Sequence, residues 1–367
     1  MTTAFFRDER CFWHQGDGYS LTLPAGGLIQ PGGGLPESPE SKRRFWNLMQ
    51  VTGLTEHLSL RTAPEATREE LLRVHPARYL DAFKEMSDAR GGELGLAAPF
   101  GRGGYEIATL SAGLALGAMR AVLSGEVANA YALSRPPGHH CLPEKPNGFC
   151  LLANIAVAAK AVMAEGLAGR IAVVDWGVHH GNGTEAIFYD SAEVLAVSLH
   201  QDRNYPLDTG GFDDRGTGAG TGYNLNVPLP PGCGNGAYLE VMRRIVVPAL
   251  ERFRPDLIVV ACGFDASGAD PLGRMMVSSE GFRAMTEVLA EAADRLCGGR
   301  IVMTHEGGYS ASYVPYCGLA VLEALSGVRT GIDDPFEPVI AGYGQQALQP
   351  HQADAIAAAE GLLAGIK

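Results

Sequence analysis

The sequence predicts an α/β fold, a parallel sheet covered by helices on both faces. Three observations predict it. Short Val/Ile/Leu-rich runs alternate with longer segments of helical period. The runs are apolar throughout, as strands buried on both faces are. Four of the five runs end in Gly-rich turns that carry His, Asp or Tyr.

The elements follow in order. The Gly- and Pro-rich segment from Gly16 to Pro39 predicts a long loop before a helix beginning near Ser41. Such a loop either borders a site or lies loose on the surface. Residues 105–123 have helical period, and "AYALSR" (130–135) reads as a strand. Helix 154–166, strand "RIAVVDW" (170–176) and strand "VLAVSLH" (194–200) come next. Helix 236–253, strand "DLIVVACGFD" (256–265), helix 279–297 and strand "RIVMTHEGGY" (300–309) complete the alternation.

No linker, repeat or shift in composition divides the 367 residues, so one domain is expected over 1–367. The net charge is −12 and no basic run occurs, which argues against a nucleic-acid groove. Seven scattered cysteines without a CxxC pair suggest a reducing compartment and no disulfide framework. The N-terminus "MTTAFFRDERCFWHQ" carries charge where a secretion signal is apolar, and no apolar run reads as a membrane span. A cytoplasmic protein is expected, with neither membrane nor nucleic acid as partner. A homo-oligomer is compatible with all of this.

Ligands of open α/β sheets bind beyond the carboxyl ends of the strands. "PPGHH", "GVHHGNG", "GFDAS" and "HEGGYS" follow four strand ends and are expected to converge there. His179 and Asp265 have the donor types of a zinc site. An Asp after a strand can instead cap a helix. His139 and His140, turned by Pro136, Pro137 and Gly138, suit acid–base work, or form a solvated pair. Asp175 can orient one imidazole and Asn182 another. Tyr309 can donate to a developing oxyanion, or serve as core. Phe149 and Tyr205 can face one another as a slot for an unbranched chain, or plug the core.

Together "RPPGHH", "NGFC", "DWGVHHGNG", "SLHQD", "GFDAS..DPLG" and "EGGYS" resemble the zinc-dependent histone deacetylases and their bacterial relatives, the histone-deacetylase-like amidohydrolases. The match runs from about residue 37 to 326, and "EGGY" with "HHGNG" is more similar to the class II branch. The resemblance implies the arginase/deacetylase-like fold, an eight-stranded parallel sheet with helices on both faces. It implies hydrolysis of acyl-lysine-type amides to an amine and a carboxylate. His179 and Asp265 match zinc ligands. His139 and His140 match the tandem catalytic histidines, paired with Asp175 and Asn182, and Tyr309 matches the carbonyl-polarising tyrosine. Gly148, Phe149 and Tyr205 match the wall of the acyl-lysine channel. Asp175 and Ser198, with the carbonyls of Gly177, His179 and Leu199, match a potassium (K+) site. Phe188, Ser191, Val194 and Tyr223 match a second. Relatives that prefer acetylpolyamines carry Glu in the "DPxG" motif, so Leu272 implies acyl-lysine or an unspecialised amide. Glu93 is a candidate rim carboxylate for substrate amides.

One position departs. The family pattern is Asp-x-Asp-x-His, and its second Asp is a zinc ligand. Here it is Gly177, which offers a carbonyl and no side chain. Two side-chain ligands remain, so weak or absent zinc is expected. An active amidohydrolase with a completed site and an impaired one that binds without efficient turnover both stay open.

Overall fold

The computed structural model describes residues 2–15, 19, 20, 22–24, 28, 29, 34–344 and 346–366. Its strands, in chain order, are β1 (Thr3–Phe6), β2 (Tyr19–Ser20), β3 (Leu23–Pro24), β4 (Ser59–Arg61), β5 (Gly91–Glu93) and β6 (Pro99–Gly101). Then come β7 (Asn129–Ala132), β8 (Ile171–Asp175), β9 (Val194–Gln201), β10 (Asn224–Leu229), β11 (Leu257–Cys262) and β12 (Ile301–His305). Eight of them form one sheet in the order β10-β9-β8-β11-β12-β7-β1-β4, every pair parallel. β2–β3 and β5–β6 are small antiparallel pairs.

The continuous apolar runs are explained by two cores. Ala172 and Val174 of β8 pack on one face, with helices at 279–297 and 314–326. Ile171 and Val173 pack on the other, with helices Gly104–Leu123 and Asn154–Ala164. Successive side chains of a strand alternate faces, so a sheet covered twice needs apolar residues at every position.

Two expectations change, the unbroken helix over 236–253 and the absence of a membrane-length apolar run. The sheet has eight strands, as the resemblance implies, where apolar runs mark only five. β1 and β4 are four and three residues long, and β10 ("NLNVPL") carries two asparagines. The helix expected over 236–253 is interrupted by a π turn at Met242–Val246. Gly104–Leu123 is in fact long and apolar enough to cross a membrane by length and composition, and 72% of its apolar window is buried in the fold. Its hydropathy is that of a core helix. Of the Gly16–Pro39 loop, residues 16–18, 21, 25–27 and 30–33 lie outside the described residues.

Candidate active site

Parallel pairing brings the carboxyl ends of β7, β8, β9, β11 and β12 to one edge of the sheet. Asp175 sits opposite Ser198 and Ala261, and Cys262 opposite His305. The turns leaving these strands therefore meet.

Each imidazole is held by a different partner. His139 Nδ1 lies 2.8 Å from Asp175 Oδ2. His140 Nδ1 lies 2.8 Å from Asn182 Oδ1. His179 Nδ1 lies 3.1 Å from Asp265 Oδ2, while Val178 N donates to Asp265 Oδ1 at 2.8 Å. All three histidines are buried, and the rings of His139 and His140 are 3.9 Å apart.

The two tandem histidines are driven apart in charge. Burial penalises the His139 imidazolium, but Asp175, then Glu306 and Asp265, outweigh it and raise its pKa to about 9. Burial and the neighbouring His139 push His140 well below the ordinary range. At neutral pH one is cationic and the other neutral. Burial opposes ionisation of Asp265, but its contacts with His179 hold its carboxyl below the usual range.

Tyr309 faces this centre. A Cβ on Gly307 would collide with Asp265 Oδ2 and stand 3.0 Å from the Tyr309 hydroxyl, so carboxylate and phenol flank one point. Glycine keeps that point clear. Burial, then Asp265 and Asp270, push the Tyr309 phenol well above its usual range, so it is a donor.

A cavity of about 250 Å³ leads to these groups. Its walls include Gly148, Phe149, Tyr205 and Leu272, and its floor His140, His179 and Tyr309. Phe149 meets Tyr309 edge-on at 5.6 Å, while Tyr205 meets His140 at 5.0 Å and His179 at 6.0 Å. The slot is thus built from Phe149 against Tyr309 and from Tyr205 against two histidines. Ala97, Asn204 and Thr22 also line it, and Tyr19 and Leu35 pack against its wall. The sequence offered no signal for these five beyond the Gly/Pro-rich loop that holds three of them. Two of the four non-glycine residues described with positive φ line the channel, Ala97 and Phe149. Such backbone strain collects at functional sites.

Glu93, the expected rim carboxylate, is not among the residues that line the cavity, and its oxygens serve the chain itself. One accepts from the Tyr19 hydroxyl at 2.6 Å and the other from Ala98 N at 2.8 Å. For the first potassium set, Gly177 N donates to Asp175 Oδ1 at 3.1 Å, and Gly181 N to Ser198 Oγ at 3.4 Å. Leu199 is buried in β9. Phe188, Ser191 and Val194 border a separate cavity with Lys160 and Arg73. The Tyr223 carbonyl accepts from Ala196 N at 2.9 Å.

Does zinc fit the residues present? Two ligands on a tetrahedral zinc, each at about 2.1 Å, stand about 3.4 Å apart. The 3.1 Å between His179 Nδ1 and Asp265 Oδ2 is close to that. A Cβ at position 177 would stand beside the same carboxylate, 3.1 Å from Asp265 Oδ1, and 3.3 Å from Asp175 Oδ1. No side chain is there. A catalytic zinc needs three protein ligands, and these residues supply two, so they do not complete the site. Among the described residues, the one trio of possible ligands within 4.8 Å is His139, Cys150 and Glu306. Burial drives the Cys150 thiol well above its usual range, so it offers no thiolate.

Comparison with known proteins identifies the family and the fold. The histone deacetylase domain family matches residues 35–325. The chain is 59% identical to a histone deacetylase-like amidohydrolase of Pseudomonas aeruginosa, over 92% of this chain and 90% of that protein. It is 36% identical to histone deacetylase 8 of Arabidopsis thaliana, over 96% and 94% of the two chains. The crystal structure of the HDA15 HD domain superposes with a TM-score of 0.86 at 31% identity, covering 99% of this chain and 96% of that one. This chain belongs to the histone deacetylase family.

Proposed function

We propose that this chain takes acyl-lysine-type amides into its channel as a deacetylase-type amidohydrolase, and that Gly177 curtails turnover. The channel carries this reading: an apolar slot ending on a neutral histidine and a phenol. The whole chain, 1–367, acts as one catalytic unit, and its seven free, buried cysteines fit a reducing cytoplasm.

The chain's own residues can be assigned. The Asn182 amide oxygen only accepts, so His140 Nδ1 carries the proton and Nε2 keeps a lone pair. His140 lines the channel and is the base that takes a proton from water. It then returns that proton to the leaving amine. His139 does not line the channel; held as a cation by Asp175, it stabilises negative charge developing nearby. Tyr309 donates a hydrogen bond to the scissile carbonyl as it becomes an oxyanion. Phe149, Tyr205 and Leu272 exclude water and align the chain. Asp175, Ser198 and the carbonyls of Gly177, His179 and Leu199 would hold a potassium ion, and Phe188, Ser191, Val194 and Tyr223 would hold a second. Losing an outer-shell partner alone costs about 10–100-fold in metal affinity or activity, so the missing carboxylate predicts slow hydrolysis.

A second reading is favoured by Gly177 itself: binding of acyl-lysine chains without efficient turnover. One pair of measurements tests both. Anisotropy of a labelled acyl-lysine peptide reads binding, and amine release with added zinc reads turnover. Binding with slow release is expected. Absence of binding would refute the channel assignment.

A further inference from the structure

The turn that carries the tandem histidines has a difficulty built into its sequence. After β7 come Pro136 and Pro137, which have no N–H to give a neighbouring strand. Gly138 and His139 follow, buried, with amides that still need acceptors. No strand partner supplies them. Glu306 does: its Oε2 accepts from Gly138 N at 2.7 Å and from His139 N at 3.1 Å.

Glu306 is fully buried at the end of β12. Its own amide donates to Cys262 O at 3.2 Å, and Gly307 O accepts from Phe264 N at 3.0 Å, which fixes it to the turn after β11. Its other oxygen, Oε1, is buried and has no partner. A carboxylate in such a place is costly, because burial opposes its charge and half of its acceptor capacity is unused. Tyr309 lies three residues on, and its amide donates to Asp270 Oδ2 at 2.8 Å. Asp270 Oδ1 in turn accepts from Leu272 N at 2.9 Å. Two buried carboxylates thus chain three loops: histidine turn, tyrosine turn and the Asp265–Leu272 loop.

We propose that Glu306 is a positioning residue, whose carboxylate grips the Gly138 and His139 amides and holds the tandem histidines in register with Tyr309. Its consequence for catalysis rests on the assignment of His140 and Tyr309 given above. The grip itself does not.

The test separates the two. Amide hydrogen exchange of Gly138 and His139, followed by NMR, reads the grip in the untreated protein and needs no turnover. E306A should lose at least tenfold of the protection at these two amides, with β8 amides unchanged. E306Q, which keeps one acceptor oxygen at the same reach, should stay within threefold of the parent. Amine release should fall tenfold or more in E306A and recover in E306Q, while acyl-lysine peptide affinity stays within threefold. Should E306A not fold, E306D takes its place; it is one methylene too short and should show the same losses. Unchanged protection in E306A, or E306Q as damaged as E306A, would overturn the proposal. If the parent releases no amine but the amides respond as stated, the hydrolytic reading fails and the positioning role stands.

Discussion

Replacing Gly177 with Asp should turn a two-ligand centre into a complete zinc site. The backbone permits it: Gly177 is not among the glycines with positive φ, so an L residue sits there without strain. The new Cβ would stand 3.1 Å from Asp265 Oδ1 and 3.3 Å from Asp175 Oδ1, so those carboxylates must give by a few tenths of an ångström. Position 177 lies in the bend that follows β8, beside Asp265, whose other oxygen holds His179, so a carboxylate there would reach the same pair of ligands. Three ligands with one open position is the usual catalytic arrangement.

The magnitude follows. An outer-shell loss already costs about 10–100-fold in affinity, so restoring an inner ligand should gain at least about 100-fold, or about 2.7 kcal/mol. Without metal the change should cost stability, because a third carboxylate then crowds Asp175 and Asp265 in a buried place. G177D should therefore melt lower than the parent in chelator and higher in zinc. Metal per chain by mass spectrometry, chelator competition and amine release read the outcome. A parent that binds one zinc per chain within threefold of the variant's affinity, and turns over at the same rate, would refute the reasoning.

Other perturbations read single parts of the site. Y309F should lower amine release by about 10²–10³, the cost of one oxyanion donor, and leave acyl-lysine peptide binding within threefold; equal loss of binding would contradict the donor role. F149A removes one channel wall and should weaken binding of the same peptide about tenfold, read by anisotropy, with the fold intact by circular dichroism. Acid should destabilise the protein through the buried groups behind the channel. Burial opposes ionisation of Glu37, but Arg135 and Lys42 hold its pKa down to about 2. Its stabilisation is present above its ordinary value of 4.5 and is lost as pH falls from there towards 2. Burial holds His14 neutral, down to about 3, so the unfolded chain gains a proton first and stability falls from pH 6.5 downward. Replacing His14 with Gln should therefore flatten the fall in urea midpoint between pH 6.5 and 4 relative to the parent, and an unchanged profile would exclude this origin.

The chemistry at the strand ends was legible because each apolar run is unbroken and its functional residues follow within a few positions. His139, His179, Asp265 and Tyr309 meet for that reason. β1 and β4 were not legible, since three or four residues carry no period. β10 was hidden by Asn224 and Asn226, whose side-chain amides donate to Glu185 at 2.6 and 2.7 Å and so need no exposure. Ala97, Asn204 and Leu35 reach the channel through loops whose course no local pattern encodes. Glu306 stood inside "HEGGYS", yet a lone glutamate says nothing of where it points. Its meaning came only from two amides that prolines had left without partners.

Position 177 is also where a metal centre of this design loses a ligand at least structural cost. Asp265 has two roles, since one oxygen accepts from Val178 N and the other holds His179. Asp175 likewise anchors Gly177 N with one oxygen and His139 with the other. Removing either carboxylate would leave a buried amide unpaired as well as freeing a histidine, a cost of about 1–3 kcal/mol per group. A side chain at 177 has no such second role, because the turn is held from both sides by its neighbours, through the backbone of residues 177 and 178. Its loss spares the turn, the channel and both histidine pairs. That separation is why the rest of the site keeps its geometry around Gly177, and why returning one carboxylate is expected to act through the metal centre, on its affinity, on the turnover that depends on it and on the charge crowded there when metal is removed.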